Sequence, residues 1–427
     1  MDFQPFERHT VSSILFVDMN SFFASCEQQD NYLLRGRPVG VCVYTSHPES
    51  CIISPSVEAK RLGIRTGMPL QEAARLCPHF VPIETNPERY RQYHVQLIEL
   101  FKGFSDQVIP KSIDEAIIDL SKHRLMYKDL TAVAQSIKRA IRERVGSELR
   151  CSIGIAPNVF LAKLATEVQK PDGLVCITPE TIDDVLRTMT LTDLPGIGER
   201  MAKRLVQYDI RNPLELRYAS PERLRLACRS LIGWHWHMRL NFGVEVDLRT
   251  QGYKQMQAIR TVSAEQRASL AVLDQLLLSL CLTLERRMVH QQVFCRRLNC
   301  YVRYRDSNRY EDTLTVSVPL QDGVELYRIL KDRMEKLALA HRTEPFINHD
   351  VRQIGVGVGD FVADHQVQYT LFEDNTRRDK LRKTVYELKA RFGAAAIQRA
   401  AELTDVAVMK DLIGFGAIRD LHRDTDG

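Results

Sequence analysis

The sequence predicts a multidomain α+β protein, and three observations support this prediction. The chain has 427 residues, which is more than one hydrophobic core usually organises. Between residues 13 and 177, short apolar runs and helical stripes follow each other in the order β-α-β-β-α-β, which is typical of a ferredoxin-like unit. A second set of strand and helix patterns begins near residue 257.

The first unit opens with a buried-strand pattern at 13–19. A helix that contains Glu27 is predicted to start near Asn20. The elements predicted after it are strands at 38–44 and 51–54, helices at 57–63, 69–76 and 87–104, a strand with a hairpin at 111–120, a helix at 128–145, a strand at 151–156 and a helix at 158–165. With helices on one face of the sheet, the first strand and the hairpin at 111–120 can be neighbours.

The second unit is predicted from alternating and helical patterns of the same kind. Its predicted elements are strands at 259–263, 296–305, 313–318 and 351–358 and helices at 268–290 and 324–339. The strand at 296–305 places basic and polar side chains on one face and apolar ones on the other. Such a face suits a duplex backbone, and an ordinary solvated surface explains it equally well. Two further helices are predicted at 380–391 and 394–403, without an assigned role.

Composition and charge narrow the class of protein. Charged residues make up 26% and hydrophobic residues 44%, an ordinary soluble profile, and the net charge of +5 permits a polyanionic partner without requiring one. The ten cysteines show neither a CxxC pair nor zinc-site spacing, so we expect reduced thiols. No leader pattern and no apolar run of transmembrane length is present, which predicts a cytoplasmic protein.

Two adjacent acids, Asp114 and Glu115, interrupt the apolar run at 111–120. Side chains alternate along a strand, so both carboxylates reach solvent only at a bend or strand junction. A surface turn is the ordinary interpretation, because acids are mostly exposed. A partner acid would favour a cation site instead, because desolvated carboxylates need a compensating charge. Asp18, at the end of the first predicted strand, is a candidate partner, although a helix-capping role explains it about equally well.

Three segments resemble the signature blocks of Y-family, translesion DNA polymerases. They are FVDMNSFFASCE at 16–27, SIDEA at 112–116, and the stretch from GIAPN to KPDG at 154–173. They occur in the family's order and at its spacing, and the similarity covers most of residues 13–362. The resemblance implies template-directed, low-fidelity DNA synthesis that tolerates damage. No acidic exonuclease block accompanies these segments, so we expect no proofreading.

The resemblance also implies a domain organisation around a ferredoxin-like palm. The implied domains are a palm at 1–21 and 87–177, small fingers at 22–86, a helical thumb at 178–240, a linker at 241–256, an α+β little finger at 257–362 and a tail at 363–427.

Nucleotidyl transfer needs a deprotonated primer 3′-hydroxyl and a neutralised pyrophosphate. Two Mg²⁺ ions about 3.5–4 Å apart, held by carboxylates and substrate oxygens, can supply both. By the resemblance, Asp18 and Asp114 bridge the two ions and Glu115 completes the ion that activates the primer hydroxyl. The Met19 carbonyl adds one ligand.

The nucleotide contacts are likewise implied by the resemblance. Phe23 matches the steric gate, a ring that excludes a ribose hydroxyl, although a buried Phe is more often plain core. Lys170 matches the lysine that reaches the phosphates, and Ser54 offers a hydroxyl. Many relatives carry Tyr and Arg where this chain has Val57 and Lys60, which predicts weaker or differently shaped triphosphate binding.

The segment LPGIG at 194–198 predicts the hairpin of a helix–hairpin–helix. Gly196 and Gly198 let backbone N–H groups approach a DNA phosphate, and Lys203 follows on the next helix. A plain helical turn is the alternative. The position of the second unit after this hairpin resembles the family's little finger and implies DNA contact for three arginines of its basic face, Arg297, Arg303 and Arg305.

The pentapeptide at 368–372 resembles the Q-x-x-L-F motif by which bacterial polymerases bind the sliding clamp. Gln368, Leu371 and Phe372 are its matching residues, and a chance match is the alternative.

The sequence thus predicts an Mg²⁺-dependent DNA polymerase that binds primer–template DNA, dNTPs and a sliding clamp, acts as a monomer and does not bind membranes. One alternative is an UmuC-like catalytic subunit that needs accessory proteins. The other is a non-catalytic, polymerase-shaped scaffold, against which the intact set of three acids argues.

Overall fold

A computed structural model describes residues 8–46, 50–243, 254–368, 375–393 and 396–397 of the chain. These residues form two compact units, one that ends at 243 and one that begins at 254. Leu371, Phe372, most of the helix predicted at 394–403 and part of the predicted linker lie outside the described residues. Among the described residues, no helix combines the length and the apolar character that a membrane crossing requires.

The elements predicted for the N-terminal unit are present in the predicted order, together with further strands and helices. Its strands are β1 (Ile14–Met19), β2 (Val39–Cys42), β3 (Ile52–Pro55), β4 (Val81–Glu84), β5 (Val108–Pro110), β6 (Glu115–Asp119), β7 (Cys151–Ala156) and β8 (Leu174–Cys176). Its helices are α1 (Phe22–Asp30), α2 (Val57–Arg61), α3 (Leu70–Leu76), α4 (Pro87–Lys102), α5 (Leu130–Ala140), α6 (Val159–Val168), α7 (Ile182–Arg187), α8 (Glu199–Val206), α9 (Pro213–Tyr218), α10 (Pro221–Cys228) and α11 (Ile232–Leu240).

A five-stranded sheet with the order β5-β6-β1-β7-β8 forms the centre of this unit. β1 is the middle strand and pairs antiparallel with both β6 and β7. The predicted proximity of the first strand and the 111–120 hairpin is therefore confirmed. A separate three-stranded sheet has the order β3-β2-β4.

Helices cover both faces of the central sheet, not one face as expected. Leu15 and Val17 of β1 pack in a core with residues of α4 and α5. Ile14 and Phe16 point to the other face and pack with residues of α6. The reason is that all of β1 is apolar or buried, so neither face can be left to solvent.

The acidic segment forms a turn and then a strand. Residues 111–114 lie in the turn between β5 and β6, and β6 begins only at Glu115. The backbone N–H groups of Lys111 and Ser112 donate to the Glu115 carbonyl at 2.8 and 3.2 Å and close this turn. Asp114 therefore lies at the kind of bend that two adjacent carboxylates require.

Residues at the end of the N-terminal unit pack into it. Phe242 is buried, and its carbonyl accepts a hydrogen bond from the His9 backbone at 2.9 Å. Residues 241–243, which the sequence predicted to be part of the linker, therefore belong to this unit.

The C-terminal unit is an antiparallel sheet with helices on one face. Its elements are β9 (Gln255–Thr261), α12 (Ala264–Arg267), α13 (Leu270–His290), β10 (Val293–Tyr304), β11 (Arg309–Leu320), α14 (Gly323–His341), β12 (Val351–Ala363) and α15 (Asn375–Phe392). The strand order is β11-β10-β12-β9, and the buried side chains of β10 pack with α13 and α14. All of the predicted strands and helices before residue 363 are present, mostly with longer bounds.

One face of this sheet is turned away from α13 and α14. On this face, β12 contributes glycines, which we call its glycine track. Gly355 and Gly357 lie opposite Tyr301 and Asn299 of β10. A Cβ atom on Gly355 would lie 2.3 Å from the Tyr301 ring, and one on Gly357 would lie 2.1 Å from Asn299 Oδ1. The side chains of β10 therefore lean over the backbone of β12. We call this surface the open face.

Candidate active site

The register of β1 and β6 brings the three predicted acids together. Asp18 of β1 lies directly opposite Glu115, the first residue of β6. Asp114 precedes Glu115 in the turn, and its carbonyl accepts a hydrogen bond from the Met19 backbone at 2.9 Å. Asp18 is only 7% exposed, so its charge requires a nearby cation.

Two lysines form ion pairs with these acids. Lys163 of α6 donates to Asp18 Oδ2 and, at 2.7 Å, to Glu115 Oε1. Lys170 donates to the same oxygen of Asp18 at 2.9 Å. Both lysines also pair with Glu167, at 3.1 and 2.8 Å, so the acids and lysines form one network.

The sequence predicted Lys170 for this site but not Lys163. The available signal was the spacing of Lys163 and Glu167, four residues apart on a helix whose other faces are apolar. Such a pair on an otherwise apolar helix indicates a polar environment nearby.

Burial raises the pKa of the Asp114 carboxyl, and the neighbouring charges of Glu115 and Asp18 add to this effect. The Ser112 hydroxyl, which donates to Asp114 Oδ1, opposes it. Burial lowers the pKa of Lys163, but the carboxylates of Asp18 and Glu115 outweigh burial, so the net shift is upward. Lys163 therefore stays protonated at neutral pH, and Asp114 binds a proton more readily than an ordinary aspartate.

These donors suit a hard divalent cation, because carboxylate and carbonyl oxygens are the ligands of Mg²⁺. Among the described residues, no three side chains of the usual metal-binding types already converge on one point. Lys163 lies between Asp18 and Glu115, and Asp114 is turned toward Ser112. The donor set fits a metal ion if the lysine moves aside and Asp114 rotates.

Lys163→Met should therefore change stability in a metal-dependent way. Loss of the ammonium leaves Asp18 and Glu115 short of a counter-charge, so the free energy of unfolding in EDTA should fall by about 2 kcal/mol, less than for a fully buried pair. Mg²⁺ should restore part of this loss, because the variant has no ammonium that competes with the metal. Thermal unfolding in EDTA and in Mg²⁺ measures both effects.

The matched control is Lys102→Met, which removes the exposed Lys102–Glu99 pair from α4. It should change stability by less than about 1 kcal/mol in either buffer. An Mg²⁺ response of Lys163→Met equal to that of the parent would show that Lys163 does not share the metal's ligands.

Phe23 lies in the first turn of α1, and another aromatic ring supports its side chain. Its ring stacks on Tyr90 of α4, with centroids 4.4 Å apart and an interplanar angle of 13°. Phe23 is 5% exposed and Phe22 is 3% exposed. The Tyr90 hydroxyl donates to Glu27 Oε1 at 2.6 Å, which fixes the supporting ring. The arrangement suits a rigid gate and also suits core packing, so the gate stays a prediction.

The Glu27 carboxylate that anchors Tyr90 should cost stability at neutral pH. Burial raises the pKa of Glu27 above its ordinary value, although the Tyr90 hydrogen bond opposes the shift. A carboxyl with a raised folded-state pKa favours folding at low pH, and this contribution is lost as pH rises through that pKa.

Glu27→Gln keeps an acceptor for Tyr90 and removes the charge. We expect it to raise the free energy of unfolding at pH 7.5 by about 0.5–1 kcal/mol, with the gain disappearing below about pH 4. Urea unfolding at both pH values measures this, and an equal gain at both would contradict it.

Of the predicted phosphate contacts, Lys60 and Lys170 lie near the acids. Ser54 lies in β3, and Val57 and Lys60 lie in α2. Burial and the charge of Lys170 lower the pKa of Lys60, whereas Asp18, Glu167 and Asp114 raise it. Lys60 is thus within electrostatic range of Lys170 and of the acids.

The predicted hairpin forms a turn with an exposed glycine edge. Gly196 has φ +88°, and Gly198 precedes the first residue of α8. Lys203 of α8 is exposed. A cavity of about 700 Å³ extends from Lys163 and Glu167 to the two glycines, so the hairpin and the acidic site border one space.

The other predicted contacts lie in the C-terminal unit. Arg297 and Arg303 are exposed on the open face, and Arg305 is exposed in the turn after β10. Gln368 is exposed, whereas Leu371 and Phe372 lie outside the described residues.

Two family models match this chain. The impB/mucB/samB family matches residues 17–167, and the impB/mucB/samB family C-terminal domain matches residues 253–371. Together they cover more than half of the sequence.

Curated relatives are named DNA polymerase IV. The protein of Pelotomaculum thermopropionicum is 29% identical over 404 residues, which are 93% of this chain and 97% of the relative. That of Xanthomonas oryzae pv. oryzae is 39% identical over 212 residues, which are 50% of this chain and 58% of the relative.

Solved structures share the fold. A Y-family DNA polymerase chimera of Dbh and Dpo4 is similar with a TM-score of 0.69 at 21% identity, over 82% of this chain and 99% of the chimera. A ternary complex of Dbh is similar with a TM-score of 0.55 at 22% identity, over the same shares.

The family matches, the names of the relatives and the grouped acids lead to one conclusion. Members of this family use divalent metal ions in general. This chain belongs to the Y-family of translesion DNA polymerases and is a DNA-directed DNA polymerase.

Proposed function

We propose that the protein adds deoxynucleotides to a primer 3′-OH by a two-Mg²⁺ mechanism centred on Asp18, Asp114 and Glu115. The observation that supports this most directly is the pairing of Asp18 with Glu115 across β1 and β6, with Asp114 in the adjoining turn. Two Mg²⁺ ions, when bound, activate the hydroxyl and neutralise the leaving pyrophosphate.

In this proposal, residues of this chain hold the metal ions, and the lysine that pairs with these residues is released. Asp18 and Asp114 would help to hold both metal ions, and Glu115 and the Met19 carbonyl would each help to hold one. Lys163, which pairs with Asp18 and Glu115, would release these carboxylates to a bound metal ion. Asp18 and Glu115 would therefore keep a counter-charge both with and without metal.

The nucleotide lies between α1 and the lysines. Lys170 and Lys60 bind the triphosphate as point charges, and Ser54 donates a hydroxyl. Phe23 lies beneath the sugar and excludes ribose. Burial and the nearby charge of Lys170 lower the pKa of Lys60, which supports the convergence of the two lysines on one anion, because a polyanion between two ammonium groups relieves their repulsion.

Primer–template DNA is bound without reading its sequence. Gly196 and Gly198 offer backbone N–H groups to a phosphate, and Lys203 adds charge. Arg297, Arg303 and Arg305 contact the backbone from the C-terminal unit, and salt should weaken binding. The motif that starts at Gln368 binds a sliding clamp, and the polymerase itself is a monomer.

Primer extension with the purified protein and Mg²⁺ tests this function. Extension of a primer by the protein alone supports a self-sufficient polymerase. Extension only after accessory proteins are added supports the UmuC-like alternative. DNA binding without extension under either condition would leave the scaffold alternative.

A further inference from the structure

The turn at 169–173, between α6 and β8, presents Lys170 to Asp18. Lysine side chains are flexible, so the position of the Lys170 ammonium depends on how firmly this turn is held. The turn is tight. A Cβ atom on Gly173 would lie 1.8 Å from the Gln169 carbonyl oxygen, and Asp172 adopts the left-handed conformation with φ +59°.

Side chains from distant parts of the chain bind the backbone of this turn. Ser152 of β7 donates to the Gln169 carbonyl and accepts from the Gly173 N–H, each at 3.3 Å. Asn20, next to Met19, accepts from the Asp172 N–H at 2.7 Å. The turn is therefore fixed directly to β7 and to the residue that follows β1, the strand of Asp18.

Lys138 of α5 supports the same turn with its whole ammonium group. Its Nζ donates to the carbonyl oxygens of Asp172 at 2.5 Å and Gly173 at 3.0 Å. It also pairs with the Asp172 carboxylate at 2.9 Å. The side chain is 10% exposed, and lysines are almost never this buried unless they are paired.

The neighbours of Lys138 do not share this arrangement. Arg139, the next residue of α5, is exposed. Arg142 pairs only with the Asp172 carboxylate, at 3.1 Å, and is about half exposed. Of the basic residues at this end of α5, Lys138 is the one that binds backbone carbonyls of the turn.

We propose that Lys138 is a positioning residue that sets the place of Lys170 against the triphosphate of the incoming nucleotide. The proposal rests on the phosphate-binding role given to Lys170 above. Lys138 touches neither the acids nor the nucleotide site, and it acts through the turn. Displacement of a positioned group by about 1 Å costs up to about 100-fold in rate, so a small shift of the turn is measurable.

The test compares steady-state dNTP kinetics of Lys138→Met with those of the control Arg139→Met. Lys138→Met should raise KM for dNTP about tenfold and leave the Kd for primer–template unchanged. Arg139→Met should change neither. A purely structural role would lower the active fraction, which active-site titration measures, and would leave KM unchanged. That result would overturn the proposal.

Ser152→Ala provides a second route if Lys138→Met does not fold. It removes a small hydroxyl from a strand, and the loss of its two bonds to the turn should raise KM for dNTP about threefold. An unchanged KM in this folded variant would overturn the view that the turn must be held for Lys170 to function.

Lys170→Met separates failure of this inference from failure of the proposed function. If Lys170→Met leaves KM for dNTP unchanged, the role of Lys170 itself is wrong. If it raises KM and Lys138→Met does not, only the role of Lys138 is wrong. In the double variant, Lys138→Met should add little to the effect of Lys170→Met, and full additivity would show that the two lysines act independently.

Discussion

Asp114→Ala should lower the rate of single-turnover primer extension in Mg²⁺ by at least about 10³-fold, since each tenfold step corresponds to about 1.4 kcal/mol and a metal ion stabilises the transition state by several kcal/mol. In the proposed mechanism Asp114 would help to hold both metal ions, so its loss would affect the attacking and the leaving oxygen together. The carboxylate lies in a turn, and its replacement removes only the bond from Ser112. The fold should therefore survive.

Asp119→Asn is the matched control for this prediction. Asp119 is the last residue of β6, opposite Ile14 at the far end of β1, and its carboxylate accepts only a local hydrogen bond from Ser121. We expect extension within about twofold of the parent, as for surface substitutions in general. Wild-type extension by Asp114→Ala, with DNA binding intact, would mean that the metal ligands lie elsewhere.

Phe23→Ala should lower the discrimination between dNTP and rNTP by about 10²–10³-fold, because a ring packed beneath the sugar imposes a clash of several kcal/mol on a 2′-hydroxyl. The stack on Tyr90 prevents the ring from yielding. The measurement is the ratio of kcat/KM for a dNTP and its ribonucleotide. A ratio is insensitive to the active fraction, so lower stability does not affect it.

Phe22→Ala separates the gate from core packing. Both rings are buried in the same core, and each truncation should destabilise the fold by about 3–5 kcal/mol. Only Phe23→Ala should alter sugar selection. Equal selectivity in the two variants would assign Phe23 to the core alone.

The parts of the fold that were predicted are those with a repeating pattern. β1, β7, α4 and α13 have long apolar or helical periods, and their bounds agree with the sequence within a few residues. β4, β5 and β8 were not predicted, because strands of three or four residues are too short to show a period, and β4 and β5 also contain Pro82 and Pro110. Only tertiary pairing makes them strands.

The candidate site was also predicted only in part. Asp18 and Glu115 were expected to meet, because the order of elements places their strands side by side. The roles of Lys163, Ser152 and Lys138 could not be predicted. They depend on contacts between residues up to 145 positions apart, and a single polar side chain in an apolar element gives no indication of its partner.

The glycine track of β12 limits which amino-acid substitutions this protein tolerates. Tyr301 and Asn299 occupy the space that side chains at 355 and 357 would need. Alanine scanning, which deletes atoms at most positions, would insert a methyl group here and lift the aromatic ring off the sheet. On the open face, therefore, the two glycines tolerate substitution least. Natural variation should be concentrated in β10 and β11 rather than in β12.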